Sequence, residues 1–471
     1  FNEQYQLSRH CLRFNLSKLL DTAVAIAGDG ARYCAKVLKC SEGLHNKAFI
    51  LTMDNGAKLP NPNAGPARYT TASEVATRHF LREIFNIPVP RILAWSSDAS
   101  NPVGAEYIIE EKAPGVRLGS FWNHWSRGPK LKIITQIAQI EDVLTSISFP
   151  KHGCIYFKED LLALTGVAPD LGPLSLPELW NSGRASMKLD CSPWRNPLAY
   201  TQAMGLNEIA WIKSHATPRM NHYRSSSEPE LPEDPLRLLT QYINVTPYLV
   251  PLDNSEGSPS VLWHPDLHLN NVFVDPESHE ITCIVDWQSA AVAPLFFQCG
   301  VPTMFRHSKP VRDDWVVPER PANFESLDED EKRQIDEDLE SETLHKYYEV
   351  QTYKKAPRHW AALQQQKATP FLRKPVWLVT GVWENRDLFF LRQSLLSLMA
   401  HWEEFRNGVP CPLSFSEEEL KLHAKEEENM DGIGQLLKIF QDQGVLPVDG
   451  MVEPEDYETA KGNSISWLGR R

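Results

Sequence analysis

The chain is short of several features that mark common protein classes. Lysine and arginine number 48 against 61 aspartate and glutamate, a formal net charge of −13. That balance gives no general attraction for nucleic acid or an anionic lipid surface. Long apolar runs are missing too. Val376–Trp383 is among the longer ones and falls far below the ~20 residues that cross a bilayer, so a soluble chain without a membrane span is expected. Eight cysteines stand at 11, 34, 40, 154, 191, 283, 299 and 411 with no Cys-x-x-Cys. This spacing argues against structural zinc or a disulfide framework and for a reducing compartment. No internal repeat is visible. The first residue is Phe1 rather than Met, which leaves a targeting peptide open. Glycine is scarce where a phosphate-binding loop would need it. Between the strand-like runs Tyr33–Lys39 and Ala48–Met53, only Gly43 is present, and an ordinary hairpin turn explains the loop equally well.

What the chain does have is concentrated in Val261–Asp286, VLWHPDLHLNNVFVDPESHEITCIVD. Two apolar runs, Val272–Val274 and Ile281–Val285, flank a turn at Pro276–His279 and predict a β-hairpin that returns Asp286 to the neighbourhood of Asn271. Phosphoryl transfer asks for little covalent chemistry. It needs a carboxylate beside the incoming hydroxyl, and an amide and a second carboxylate to hold Mg²⁺ on the phosphates. Asp266, Asn271 and Asp286 supply these in that order. A His-x-Asp-x-x-x-x-Asn pattern arises by chance about 0.06 times in a chain of this length. The plain alternative is a polar loop whose Asp and Asn make turns. A second alternative reads His264-x-Asp266-x-His268 as three metal ligands of a hydrolase, with no use for Asn271.

The same segment resembles the aminoglycoside phosphotransferase and choline kinase branch of the protein-kinase-like fold, where the loop reads His-Gly-Asp-x-His-x-x-Asn. Here it is His264-Pro265-Asp266-Leu267-His268-Leu269-Asn270-Asn271, and Asp286-Trp287-Gln288 fits that branch better than the Asp-Phe-Gly of protein kinases. PNPNAGP (60–66), TASEVAT (71–77), IPVPRILAW (87–95), NPVGAEYIIEEKAPG (101–115) and DWQSAAVAPLFFQ (286–298) narrow the likeness to a fungal group that includes the altered-inheritance-of-mitochondria proteins. The resemblance implies an α+β bilobal fold. Residues 1–111 would form a small N-lobe with an antiparallel sheet and one helix. Residues 112–471 would form a large, mainly helical C-lobe carrying the catalytic loop 261–288. It implies ATP and Mg²⁺ as cofactors, a small-molecule acceptor with a hydroxyl, and a mitochondrial location. In its terms Asp266 is the base, Asn271 and Asp286 hold the metal, Lys58 holds the phosphates, Glu74 positions Lys58, and Asn46 lies on the loop over the phosphates. A pseudokinase, with the fold kept and transfer lost, remains an alternative.

Other stretches are read from pattern alone. Leu16–Ile26, Leu131–Ile147 and Ala203–Ser214 have helical character, Ile92–Trp95 and Glu106–Ile109 look like strands, and 216–234 is a surface loop. Thr71 and Glu74 fit a capping box, which would give Glu74 a purely structural task. Ser326 with Glu329 and Ser416 with Glu419 repeat that device, the last helix ending before Gly432. One departure from the family matters. Lys58 follows the Asp54-Asn55-Gly56 turn almost at once, where related sequences have about four more strand residues. About 13 Å of strand is thereby lost, so a stunted hairpin and weak nucleotide binding are expected.

Overall fold

The computed structural model describes residues 14–28, 30–39, 48–53, 58–61, 68–167, 171–191, 193–224, 228–250, 260–312 and 314–442, with backbone only over 58–61 and 440–442. The strands are β1 (Cys34–Lys39), β2 (Phe49–Met53), β3 (Lys58–Asn61), β4 (Ile92–Ser96), β5 (Tyr107–Glu110), β6 (Val116–Arg117), β7 (Ser260–Trp263), β8 (Val272–Val274), β9 (Ile281–Ile284) and β10 (Ala291–Pro294). The helices in the first half are α1 (Leu16–Ala27), α2 (Tyr69–Glu83), α3 (Arg127–Ser146), α4 (Lys158–Thr165), α5 (Pro197–His215) and α6 (Glu233–Leu249). After β10 come α7 (Leu295–Gln298), α8 (Glu329–Lys355), α9 (Pro357–Ala368), α10 (Lys374–Val379), α11 (Leu388–Ala400), α12 (Trp402–Phe405) and α13 (Glu417–Asp442). Small antiparallel sheets with two helices, α1 and α2, where one was expected, followed by a mainly helical region, make this an α+β, protein-kinase-like fold. No helix among the described residues is long and apolar enough to cross a membrane.

The chain divides into two compact units, Phe1–Asn207 with Tyr248–Val376, and Glu208–Pro247 with Trp377–Arg471. In the first unit, β1, β2 and β3 form one antiparallel sheet and β4 pairs with β5. Asn15 caps α1 through its side chain, and Leu19 and Ala23 of that helix close over Leu51, Met53 and Ile109. Lys58 opens β3 opposite Thr52, and the strand is four residues long. The Asp54-Asn55-Gly56 turn and the 41–47 loop lie outside the described residues.

Helix α2 begins at Tyr69 rather than after Thr71, because Arg68 takes φ 70° and turns the chain into the helix. Thr71 and Glu74 are therefore interior to α2, and the capping box expected there does not form. Every residue from Thr70 to Arg78 is buried. Beyond the sheet side, Tyr69 stacks on Trp180 and His79 meets Phe157, so a segment after α3 covers the helix from the other side. A larger core joins Ile133, Ile134, Ile137 and Leu144 of α3 to Val261, Leu262, Val272, Val274, Ile284 and Trp287. The cap of α8 also differs from expectation. Asp328, with Glu331, makes the reciprocal box, while the Ser326 hydroxyl is spent on the Asn323 carbonyl of the preceding turn.

The second unit is helical among its described residues. Glu426, on α13, lies buried between Arg224 and Arg392. Ser416 and Glu419 exchange the two bonds of a capping box (2.8 and 3.2 Å), as the sequence suggests. The helix does not stop at Gly432 but runs through it to Asp442. A glycine inside a helix costs about 1 kcal/mol, which the surrounding helix formers absorb.

Candidate active site

The candidate site lies in the first unit and is built outward from β7. All four β7 residues are buried, as expected of an apolar strand covered on both faces, and β7 pairs antiparallel with β10 from Val261 opposite Ala293 to Trp263 opposite Ala291. His264 follows directly. Its Nδ1 accepts the Asp266 backbone N–H at 3.1 Å, so its Nε2 carries the proton and donates to the Val285 carbonyl at 3.0 Å. Both ring nitrogens are thus spent on backbone, and the ring packs edge-on against Trp287. A histidine so engaged has no lone pair to offer a metal. This removes the hydrolase reading, which needed His264 as a ligand.

The hairpin expected between Asn271 and Asp286 is present. β8 pairs with β9 and with β6, and the Asp275 carboxylate folds the turn by accepting from the Glu277 and Ser278 N–H groups (2.8 and 2.9 Å). Gln136 of α3 grips the turn's far side, donating to His279 O and accepting from Ile281 N–H. At the hairpin's open end the Val285 N–H donates to the Asn271 carbonyl at 2.9 Å. That single bond explains why an Asn and an Asp fifteen positions apart are brought together.

Within this frame the three C-terminal candidates have different settings. The Asp266 side chain is 71 % exposed and stands 3.6 Å from His268 Nε2. Asn271 is buried, and its Nδ2 donates to the Asp266 carbonyl at 2.9 Å, which fixes the amide so that Oδ1 faces elsewhere. Asp286 takes φ 62°. For a residue with a side chain that conformation costs about 1–2 kcal/mol, and Asp is among the few types that visit it. The buried Trp287 indole, donating to the Ile284 carbonyl, holds the turn.

Of the N-terminal candidates, Asn46 lies outside the described residues, as does the Lys58 side chain. Glu74 is described. It is buried and accepts from Arg78 at 3.3 Å. Arg78 itself was not singled out by sequence reasoning, nor was its second partner, Glu110. The only available signal was the i,i+4 spacing of Glu74 and Arg78 on a helix, which ordinarily marks a surface pair.

Two buried groups give the site opposing pH dependences. Burial holds His264 down at about 4, against the milder upward pull of its bond to Val285 and of Asp266. Burial also lifts Glu74 to about 7, with Arg78 opposing and Glu110 and Asp286 adding to the rise. For His264 the unfolded chain takes up its proton first, so its contribution is complete above about 6.5 and is lost as pH falls toward 4. For Glu74 the folded chain keeps its proton longer, so stability is highest below about 4.5 and falls as pH rises to about 7. Each effect is worth about 3 kcal/mol. The advantage of Glu74→Gln over wild type in urea unfolding is therefore expected to grow by about 3 kcal/mol between pH 4.5 and 7.5. A difference that stays flat across that range would show that folding leaves the Glu74 pKa where the unfolded chain has it.

A family model described as "Phosphotransferase enzyme family" matches residues 198–301. A subtelomeric hrmA-associated cluster protein of Aspergillus fumigatus is 32 % identical over 475 residues, covering 92 % of each chain. The chain belongs to the phosphotransferase enzyme family. Altered inheritance of mitochondria protein 9, mitochondrial, from Saccharomyces cerevisiae is 25 % identical, over 86 % of this chain and 70 % of its own length. Among solved structures, ADP-bound aminoglycoside phosphotransferase APH(2'')-Ib aligns at 11 % identity with a TM-score of 0.38, over 82 % of this chain and 96 % of that one. In this member of the phosphotransferase family, the matched segment carries Asp266, Asn271 and Asp286 together.

Proposed function

We propose that the protein is an ATP-dependent small-molecule kinase that moves the γ-phosphoryl group onto a hydroxyl of its acceptor. The observation that supports this reading is the bracing of one short segment. Asn271 bonds the Asp266 backbone through its side chain and receives Val285 through its carbonyl, so three polar side chains are held by one loop and one hairpin. Asp266 orients the acceptor hydroxyl and takes its proton late in transfer. Its exposure suits a group that must meet a substrate.

An amide oxygen and a carboxylate are the hard donors Mg²⁺ takes when nucleotide phosphates and water complete its shell. Pinning the Asn271 Nδ2 leaves its Oδ1 for that purpose, so Asn271 and Asp286 fit the ion. Bound there, Mg²⁺ would neutralise the phosphate charge. Lys58, positioned by Glu74, and Asn46 are the residues we assign to the phosphates on the nucleotide side. The acceptor is a small hydroxyl compound. A mitochondrial location rests on the likeness to the mitochondrial proteins of yeasts.

A nucleotide-binding pseudokinase is the second reading, and one observation favours it: Glu74 is already engaged by Arg78. Incubation of the protein with γ-labelled ATP and a metabolite extract separates the two. Label entering a small molecule, dependent on Mg²⁺ and on the protein, is the expected result. Label that stays in ATP across chemically diverse extracts would favour the pseudokinase.

A further inference from the structure

We propose that Arg78 is a positioning residue for nucleotide binding, holding the Glu74 carboxylate where a phosphate-binding lysine can use it. The inference rests on the proposed role of Glu74 toward Lys58 and adds a residue to it. The Arg78 guanidinium is 5 % exposed and reaches three separate elements. Nη1 donates to Glu74 Oε1 one turn earlier on α2, at 3.3 Å. Nη2 donates to the Pro90 carbonyl, in the segment before β4, at 3.1 Å, and to Glu110 Oε2 at the end of β5. A planar fork does this and a point charge does not, because its donors leave in fixed and different directions.

Electrostatics point the same way. Glu74 feels the negative charges of both Glu110 and Asp286, so without a cation between them this part of the interior would gather carboxylates alone. A buried charge left without its partner costs several kcal/mol, or the group gives up its charge. A Glu74 that had lost Arg78 would be free to turn and would hold its proton to still higher pH, since Arg78 opposes that rise, and in either state it would attract a lysine ammonium poorly. Arg78 engages one oxygen of Glu74, Oε1, and leaves the geometry of the other to a second cation. Shared use of this kind makes Glu74 a bridge between Arg78 and Lys58 rather than a prize for one of them.

The test is a double-mutant cycle read by calorimetric titration of Mg·ADP into the full chain. Arg78→Met and Glu74→Gln are each expected to weaken Mg·ADP binding about tenfold, the usual effect of losing the group behind a binding residue. The double variant is expected to bind no more weakly than either single one, since both remove the same device. Arg78→Lys is expected to recover part of the loss. Additive losses, or full affinity in Arg78→Met with Glu74→Gln impaired, would overturn the Arg78 assignment and leave the role of Glu74 standing. Full affinity in Glu74→Gln would overturn both. If Arg78→Met does not fold, Glu110→Gln loosens the same anchor, and a Glu110→Gln chain that binds Mg·ADP as wild type does would likewise overturn the assignment.

Discussion

Asp266→Asn is expected to reduce phosphoryl transfer by about 10³-fold and to leave Mg·ATP affinity within about twofold of wild type. The substitution keeps the shape of the side chain and removes its negative charge and basicity. The loop should not notice the change. Its bonds from Asp266 run through the backbone, to His264 Nδ1 and from Asn271 Nδ2, and the carboxylate itself is largely in solvent. The loss should therefore appear in kcat with KM for ATP nearly fixed, which single-turnover transfer to any acceptor found in the labelled screen would measure. Transfer at the wild-type rate would remove Asp266 from the chemistry.

Asp286→Ala is the second large effect. A ligand present at a hundredfold excess over its Kd stabilises the folded state by about 2.7 kcal/mol. For the wild type this gain from ATP should appear with Mg²⁺ or Mn²⁺ and vanish in EDTA. Asp286→Ala is expected to lose the metal-dependent part entirely. In the variant without nucleotide the backbone at φ 62° should by itself cost about 1 kcal/mol, because Ala is less at ease there than Asp. Differential scanning fluorimetry with and without EDTA decides the matter. An equal upshift in EDTA for the wild type would detach Asp286 from any metal.

These expectations came from a sequence whose legibility was uneven, for physical reasons. The loop and hairpin were readable because their information is local. Two apolar runs, the Pro276–His279 turn and His264 all sit within Val261–Asp286, and a hairpin of that length leaves few ways to close. Strands β1, β2, β4 and β5 were legible within a residue or two, again from short-range pattern, whereas β6 and β10 were not singled out.

Helix starts were less so. Thr71 and Ser326 both carry the chemistry of a cap, but Arg68 begins α2 earlier, and Asp328 begins α8 later. A capping signature states that a residue can end a helix, and the neighbouring residues compete for the task. Arg78 was invisible for another reason. Its partners Pro90 and Glu110 lie 12 and 32 residues further along the chain, and nothing in local spacing separates a buried ion pair from a solvated one.

The all-round burial of Thr70–Arg78 has a consequence for control. A helix that is covered on one side by strands and on the other by the Phe157 and Trp180 segment offers no outward surface over that stretch for an adaptor, a modifying enzyme or an allosteric ligand to grip. Signalling cannot be written onto it without first dismantling its cover. Whatever governs when this protein acts must enter elsewhere: through another face of the chain, through how much of it is made, through where it is kept, or through the supply of the molecules it meets.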